Sequence, residues 1–270
     1  MADIQNTTSS TSAKNTAIDY IDIFLEKRIY EGNEQYPLTD IGTSNLFYDL
    51  HGHAIRFVDE ANKWYFYDGR IWRKDEGSHK VMELCKEFAQ AYHKYAELVF
   101  DGSDEAKAFI KYGAGLTGRK RRESILADAK SIRSMSLSLF DRNKKLLNLQ
   151  NGTYDLAKME FRPHSAEDYI AKMARVKFVG SADSGGDDES VKYTEGAVCE
   201  RWEKFVYEVM CGDADTIKFL QKALGYALSG DTSLECFFIM HGSTTRNGKS
   251  TLMETVGHIL ELLTKGRQAM

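Results

Sequence analysis

The sequence predicts an α/β fold, in which a mixed α+β domain precedes the beginning of a phosphate-binding-loop domain. Three observations support this prediction. Apolar residues recur at helical spacing in several long stretches, aromatic runs flank two glycine-containing turns, and a short apolar run leads into a loop rich in glycine and hydroxyl groups. The turns favour β-hairpins, and the last pattern favours a strand, a loop and a helix in succession.

Composition indicates a soluble globular protein without a membrane span. The chain has 270 residues, 42% of them apolar and 28% charged, enough for one sizeable core and a smaller second one. The N-terminus lacks a secretory signal, so we expect a cytoplasmic protein whose four widely spaced cysteines are reduced, structural thiols. A net charge of −4 restricts any DNA contact to a local basic patch.

Changes in composition divide the chain into four segments. Residues 1–16 are rich in Ser, Thr and Asn and predict a disordered tail. Residues 17–179 carry the helical and hairpin patterns of the α+β domain. Residues 180–197 combine Gly, Ser and acidic side chains and predict a flexible linker. Residues 198–270 are therefore predicted to form a separate unit.

Helical spacing predicts helices in both units. In the α+β domain a first helix begins near residue 17, and further helices are predicted over 81–99 and 103–132. In the second unit, two packed helices are predicted on either side of Asp213 and Asp215. One of these two aspartates would be the N-cap of the later helix.

Two turns predict β-hairpins in the α+β domain. Residues 46–72 predict a small β module, and Asp68-Gly69 predicts a type I′ turn because both residues tolerate positive φ. Asn151-Gly152 predicts a second turn of the same type. The aromatic side chains of the first hairpin either build its core or stack on single-stranded bases.

Residues 235–260 carry the pattern that indicates chemistry. Cys236–Met240 is a short apolar run that predicts a buried parallel strand, and apolar positions from Leu252 to Leu263 predict an amphipathic helix. A loop rich in Gly, Ser, Thr and Asn lies between them. Strand, loop and helix follow each other in the order of a phosphate-binding loop.

The residue types in this loop suit a nucleoside triphosphate. Gly248 would let the backbone approach the phosphates, and Lys249 would supply a mobile positive charge for the β- and γ-phosphates. Ser250 would place its hydroxyl on Mg²⁺, and Thr251 could donate a hydrogen bond on the α-phosphate side. ATP and Mg²⁺ are therefore the expected cofactors, and Ser250 is the expected metal contact.

The loop departs from the common spacing at one position. Ser243 stands where the pattern usually has glycine, and Gly242 lies one residue earlier, which would make the loop one residue longer. Arg246 and Asn247 lie at the edge of the loop. Their side chains could touch phosphate or nucleophilic water, or simply face solvent.

Other polar residues carry weaker patterns. Glu254 and Glu261 lie on the helix after the loop and are interpreted as solvated, so no catalytic residue is identified. The basic run at 118–122 either contacts DNA phosphates or is a solvated turn. His164 has no ligand partner nearby in sequence and is interpreted as a structural turn residue.

Several segments, taken in chain order, resemble the phage and plasmid primase-helicase family, whose ATPase is a superfamily 3 helicase of the poxvirus type. They are TDIGTSNLFYDLHGHAIRFV, WYFYDGRIW, LLNLQNGTYDL, FRPHSAEDYI, WEKFVYEVMCGD, FLQKALGYALSGD and GSTTRNGKSTL. The resemblance implies an accessory domain from about 39 to 180. It also implies the opening of an AAA+ motor from about 199, truncated after the phosphate-binding loop.

The resemblance implies an ATP-dependent DNA helicase of phage or plasmid replication, assembled as a hexameric ring in the bacterial cytoplasm. DNA and other replication proteins are the implied partners. The residues that match the nucleotide-binding loop of the family are Gly242, Asn247, Gly248, Lys249, Ser250 and Thr251. Its second acidic motif, sensor and arginine finger have no match up to residue 270, and the first 38 residues leave no space for a primase site.

The sequence is compatible with three functions. The chain is the front portion of an ATP-dependent helicase, a nucleotide- or DNA-binding replication module without turnover, or an interaction protein that docks a replication partner. The sequence does not decide whether the chain hydrolyses ATP. Because the helices of residues 199–270 would lack the sheet they should cover, we also expect poor solubility or self-association of this unit.

Overall fold

The computed structural model contains eight α-helices and two β-sheets within the residues that it describes. Those residues are 19–178, 191–192, 199–230, 232–242 and 246–264. The mixed α/β fold class predicted from the sequence is confirmed. None of the helices in these ranges combines the length and the apolar character that crossing a bilayer requires.

The chain divides into two compact units. Residues 1–50 and 82–132 form the first, and residues 51–81 and 133–270 form the second. The predicted tail, residues 1–16, lies outside the described residues. So does the predicted linker, apart from Val191–Lys192, which is a short strand. A domain boundary at this linker stays a prediction.

The first unit is helical. Its helices are α1 (Tyr20–Glu26), α2 (Asp40–His51), α3 (His79–Leu98), α4 (Asp104–Leu116) and α5 (Arg119–Ile132). The side chain of Ser103 caps α4 by accepting the Ala106 N–H at 3.0 Å. Helix α2 corrects the predicted β module, because the chain is helical from 46 to 51 and the first strand begins only at Ile55.

Aromatic side chains form the core of the first unit. The rings of Phe24 and Phe88 meet edge to face with their centroids 5.8 Å apart, and Tyr92 lies 5.5 Å from Phe109. The apolar stripe predicted for α3 is buried against them. Burial also raises the pKa of the Cys85 thiol to about 12, as expected for a structural cysteine, whereas the other three cysteines are exposed.

The first sheet of the second unit has the strand order β3-β2-β1-β4. Its strands are β1 (Ile55–Val58), β2 (Lys63–Tyr67), β3 (Trp72–Lys74) and β4 (Ser134–Met135). β4 runs parallel to β1, and the other neighbours are antiparallel. Trp64 and Trp72 are buried, which confirms the core interpretation for these two side chains, while Tyr65 and Tyr67 are only half-buried.

The first predicted hairpin is present, but its turn differs from the prediction. Tyr67 pairs with Trp72, so the loop has four residues, and only Gly69 among them has a positive φ, of 93°. A type I′ turn requires two such residues. The carboxylate of Asp68 closes the loop instead, by accepting the backbone N–H groups of Arg70 and Ile71 at 2.9 Å each.

The second sheet is antiparallel, with the strand order β5-β6-β7-β8. Its strands are β5 (Leu146–Leu149), β6 (Gly152–Asp155), β7 (Glu160–Arg162) and β8 (Val191–Lys192). Leu149 pairs with Gly152, so the turn is Gln150-Asn151, one residue earlier than predicted and without positive φ. Gly152 is the first residue of β6. Glycine suits this position because a Cβ there would fall 2.5 Å from the Phe161 ring.

The side chain of Asn148 connects the two sheets. Its amide nitrogen donates to the carbonyl oxygens of Arg70 and Lys172, each at 3.2 Å. Its amide oxygen accepts the Thr153 hydroxyl at 3.0 Å and lies 2.9 Å from Nδ1 of His164. Burial lowers the pKa of His164, which favours the neutral ring in this contact. His164 thus has the structural role predicted for it.

Three helices lie in the last part of the chain: α6 (Glu200–Val209), α7 (Ala214–Ser229) and α8 (Lys249–Thr264). Asp213 is the N-cap of α7, because its carboxylate accepts the N–H groups of Asp215 and Thr216 at 3.0 and 3.3 Å. The Thr216 hydroxyl and these N–H groups lower the pKa of Asp213. Of the two aspartates predicted as possible N-caps, Asp213 and not Asp215 has this role.

The segment Cys236–Met240 is not the buried strand predicted from the sequence. It has no strand structure, and Phe237 and Ile239 are 81% and 79% exposed. A strand is stable only when a neighbour pairs with its backbone N–H and C=O groups. Neither sheet in the described part of the chain includes this segment, so the apolar pattern alone does not produce a strand.

We expect Gly152→Ala to destabilise the second unit by about 1–3 kcal/mol, since the new methyl group would overlap the Phe161 ring and approach the Arg162 carbonyl oxygen. Urea denaturation followed by circular dichroism measures the change. Gly225→Ala is the matched control, because a Cβ there meets no atom within 4 Å and alanine favours the interior of α7 by up to about 1 kcal/mol. Equal stability of Gly152→Ala and the wild type would contradict the close approach.

His51 should make stability depend on pH. Burial, with a smaller contribution from His53, lowers the pKa of His51 to about 4. The unfolded chain therefore takes up a proton near pH 6.5, where the folded chain does not. We expect the free energy of unfolding to fall between about pH 6.5 and 4, by up to about 3 kcal/mol.

Urea denaturation at several pH values across this range measures the effect. His51→Gln should flatten the dependence, and His258→Gln, a change at an exposed position, should preserve it. The same slope in the wild type and in His51→Gln would show that His51 is not the responsible group.

Candidate nucleotide-binding loop

The predicted phosphate-binding loop joins the extended segment that ends at Gly242 to the first turn of α8. Residues 243–245 lie outside the described residues, whereas 246–248 and the helix that follows are described. Helix α8 begins at Lys249, so Ser250 and Thr251 belong to its first turn. The first N–H groups of an α-helix have no partner within the helix and can bind an anion.

Gly248 adopts a conformation that favours glycine. Its φ is 81°, and its carbonyl oxygen accepts the Leu252 N–H at 2.9 Å, which starts the hydrogen bonding of α8. A Cβ at this position would overlap the Val209 side chain and lie 3.3 Å from the Phe205 ring. The loop therefore packs closely on the apolar face of α6, a reason for glycine that adds to the predicted approach to phosphates.

Three of the predicted residues meet at one point. The ammonium group of Lys249 donates to the amide oxygen of Asn247 at 2.7 Å. A Cβ at Gly242 would overlap the amide nitrogen of Asn247 and lie 3.2 Å from Nζ of Lys249. Gly242 thus lies against the contact between Asn247 and Lys249, although five positions separate it from Asn247 in the sequence.

The hydroxyl-bearing residues and the arginine of the loop are exposed. Ser250 and Thr251 point from the first turn of α8 into solvent, where a ligand could reach them. Arg246 is also exposed and has a positive φ of 63°. In the described part of the chain, no group of three or more His, Cys, Asp or Glu side chains could hold a metal ion.

The packing of α6 beneath the loop was not predicted. The sequence indicated an apolar face on this helix, with Phe205 and Val209 on it, and their contact with Gly248 is a tertiary finding. Glu254 is exposed on α8, as predicted. Of the six predicted site residues, Gly242, Asn247 and Lys249 are in mutual contact, while Gly248, Ser250 and Thr251 form the start of the helix.

Comparison with known proteins gives a viral relative. A protein of Acanthamoeba polyphaga mimivirus, named "Putative helicase", is 24% identical over 212 residues, which cover 73% of this chain. The same alignment covers 21% of the relative, so the chain spans about a fifth of that protein's length.

A protein family also matches the chain. The family described as "D5 N terminal like" matches residues 44–211, which are more than half of the chain. The matched region runs from α2 to the end of α6 and stops before the candidate loop. The chain belongs to the D5 N terminal like family.

Proposed function

We propose that this chain binds Mg-ATP at the loop from Gly242 to Thr251 and is the nucleotide-binding front portion of a replication helicase. One observation carries the nucleotide site. The Lys249 ammonium group, in contact with Asn247, lies at the N-terminus of α8, where the backbone N–H groups have no helical partner. A positive side chain and N–H groups without a partner in their own helix are the features that bind a triphosphate.

The residues of the loop have separate tasks in this proposal. The ammonium group of Lys249 leaves Asn247 and binds the β- and γ-phosphates. Its attraction to the charged phosphates is stronger than its hydrogen bond to the neutral amide of Asn247. The N–H groups at the start of α8 bind phosphate oxygens along the helix axis, with a favourable helix dipole. Ser250 supplies one oxygen to Mg²⁺, and Thr251 donates to the α-phosphate side.

The helicase part of the proposal has a different support. The family matches residues 44–211, and the viral relative is named as a helicase. We further propose, from the resemblance of its sequence to phage and plasmid primase-helicases, that the chain acts in DNA replication of a phage or plasmid as part of a superfamily 3, AAA+ motor that forms a hexameric ring on DNA. The nucleotide site depends on the loop itself, because the family match ends before it.

We expect Lys249→Ala to weaken Mg-ATP binding by about 10- to 100-fold, since it removes a charge-assisted contact to phosphate. Isothermal titration with Mg-ATP measures the affinity, and the shift of the melting temperature provides a second readout. Lys222→Ala is the matched control, because Lys222 is an exposed lysine on α7 of the same unit.

Two outcomes would contradict the nucleotide site. One is an affinity for Mg-ATP that Lys249→Ala leaves unchanged, and the other is a wild-type chain whose melting temperature does not rise with Mg-ATP. Release of phosphate in the same samples distinguishes an ATPase from a module that binds ATP without turnover.

A further inference from the structure

The second unit carries an aromatic and basic surface that lies apart from the nucleotide loop in sequence. It consists of Tyr65, Phe140 and Tyr169, with the cations Arg142, Lys144 and Lys145. We propose that this surface binds a single-stranded nucleic acid, with bases stacked on the rings and phosphates on the cations. The proposal goes beyond nucleotide binding, and its test requires no ATP.

The aromatic part is a packed cluster with partly exposed rings. Tyr65 lies on β2, and its ring centroid is 4.9 Å from that of Phe140. Tyr169 is stacked on the buried Trp72 at 5.7 Å with an interplanar angle of 19°. Tyr65, Phe140 and Tyr169 are half-buried, so each residue is held by packing while part of it stays exposed. Rings fixed in this way lose little conformational entropy when a base stacks on them.

A guanidinium group extends the aromatic cluster. Arg56 is the cross-strand neighbour of Tyr65 and therefore lies on the same face of the sheet. Its guanidinium carbon lies 5.6 and 5.7 Å from the ring centroids of Trp72 and Tyr169, and it donates to the Tyr169 hydroxyl at 3.1 Å. Arg56 thus adds positive charge beside the rings, where a phosphate between stacked bases would lie.

The cations follow directly after Phe140 in the chain. Arg142, Lys144 and Lys145 are all exposed, and no ion pair joins any of them to a carboxylate of the described residues. The carboxylate of Asp141, which lies next to them, is 3.8 Å from Lys172 and accepts the Ala171 N–H at 2.9 Å. Three positive charges on the loop that follows Phe140 are therefore available to phosphates.

The basic run that the sequence analysis considered for DNA is engaged within the first unit. Arg119 pairs with Glu123 and Arg121 with Asp40, each at 2.8 Å, and Arg122 donates to the Thr117 carbonyl oxygen. The predicted solvated turn is instead the first turn of α5, and its arginines are held by these contacts. The cations at 142–145 are better placed to bind phosphates than this run.

The loop that carries these cations is fixed at both ends. The N–H of Asp141 donates to the Tyr169 carbonyl oxygen at 3.0 Å, and the Lys145 carbonyl oxygen accepts the Leu156 N–H at 2.8 Å. Between them the Asn143 side chain accepts the Lys145 N–H at 3.0 Å. The spacing between rings and cations is therefore set by the fold, which lowers the entropic cost of binding.

A single strand fits this surface better than a duplex or an acidic peptide. Bases in a duplex are stacked on each other, so their faces are not accessible to Tyr65 or Phe140. An acidic peptide would satisfy the cations but would leave the rings without a planar partner. The combination of partly exposed rings and unpaired cations indicates a chain that alternates planar and anionic groups.

The experiment measures binding of a fluorescein-labelled 20-nucleotide oligo(dT) to the full chain by fluorescence anisotropy, without nucleotide, at several salt concentrations. The test variant replaces Arg142, Lys144 and Lys145 with Ser. We expect at least about tenfold weaker binding at low salt. We also expect the slope of log affinity against log salt concentration to become shallower by about 2, since each lost phosphate contact with a single strand removes about 0.7. The control variant replaces Lys94, Lys111 and Lys120, three exposed lysines of the first unit, with Ser and changes the net charge equally.

A second pair of variants tests the stacking. Tyr65→Leu keeps an apolar contact with Phe140 but removes the aromatic face, so we expect about tenfold weaker binding with an unchanged salt slope. Tyr207→Leu, at a 61% exposed position on α6, should bind as the wild type does. Melting temperatures of all variants verify that each is folded.

Several results would overturn the proposal. They are an equal loss of affinity in the control triple variant, wild-type affinity in Tyr65→Leu, and a 20-base-pair duplex that binds as tightly as oligo(dT). Poly-glutamate that competes as well as unlabelled oligo(dT) would also overturn it, since the surface would then bind any polyanion. None of these results depends on Lys249, so this proposal and the nucleotide site succeed or fail separately.

Discussion

The buried amide of Asn148 makes four contacts, one of which joins the two sheets of the second unit. Its nitrogen donates to Arg70 in the loop of the first sheet, while its own strand, β5, belongs to the second. The side chain is 1% exposed, so each unmet hydrogen bond would cost about 1–3 kcal/mol. Because an amide has two donors and an oxygen with two lone pairs, it can join four groups where an apolar residue could join none.

Asn148 forms hydrogen bonds with the segment from His164 to Ala174, which also carries Tyr169 of the aromatic cluster. The Ala174 N–H donates to the backbone carbonyl oxygen of Asn148 at 2.8 Å, and the backbone carbonyl oxygen of Lys172 accepts from the Asn148 side-chain amide at 3.2 Å. Within the same segment, the Ile170 carbonyl oxygen accepts the Trp72 N–H at 2.8 Å. The hydrogen bonds of Asn148 therefore contribute to the position of Tyr169, together with the bond from the Asp141 N–H to the Tyr169 carbonyl oxygen.

The candidate nucleotide loop shows the limits of a local pattern. Sequence spacing predicted the loop, its lysine and the helix that follows, because the pattern of a phosphate-binding loop lies in neighbouring residues. It could not identify Val209 and Phe205 as the surface on which Gly248 packs, since these residues lie about forty positions earlier. The predicted strand before the loop failed for the same reason, because a strand requires partners elsewhere in the chain and the pattern of Cys236–Met240 contains none.

The sequence by itself determined where several helices begin, which residues carry the phosphate-binding pattern and most of the helical stretches, though not α2. Apolar periodicity and capping side chains such as Asp213 act within one or two turns, so they are readable from neighbouring residues. Only the tertiary structure decided that Gly152 lies inside a strand, under the Phe161 ring. It also decided which cations are available, because ion pairs such as that of Arg121 with Asp40 join residues far apart in the chain.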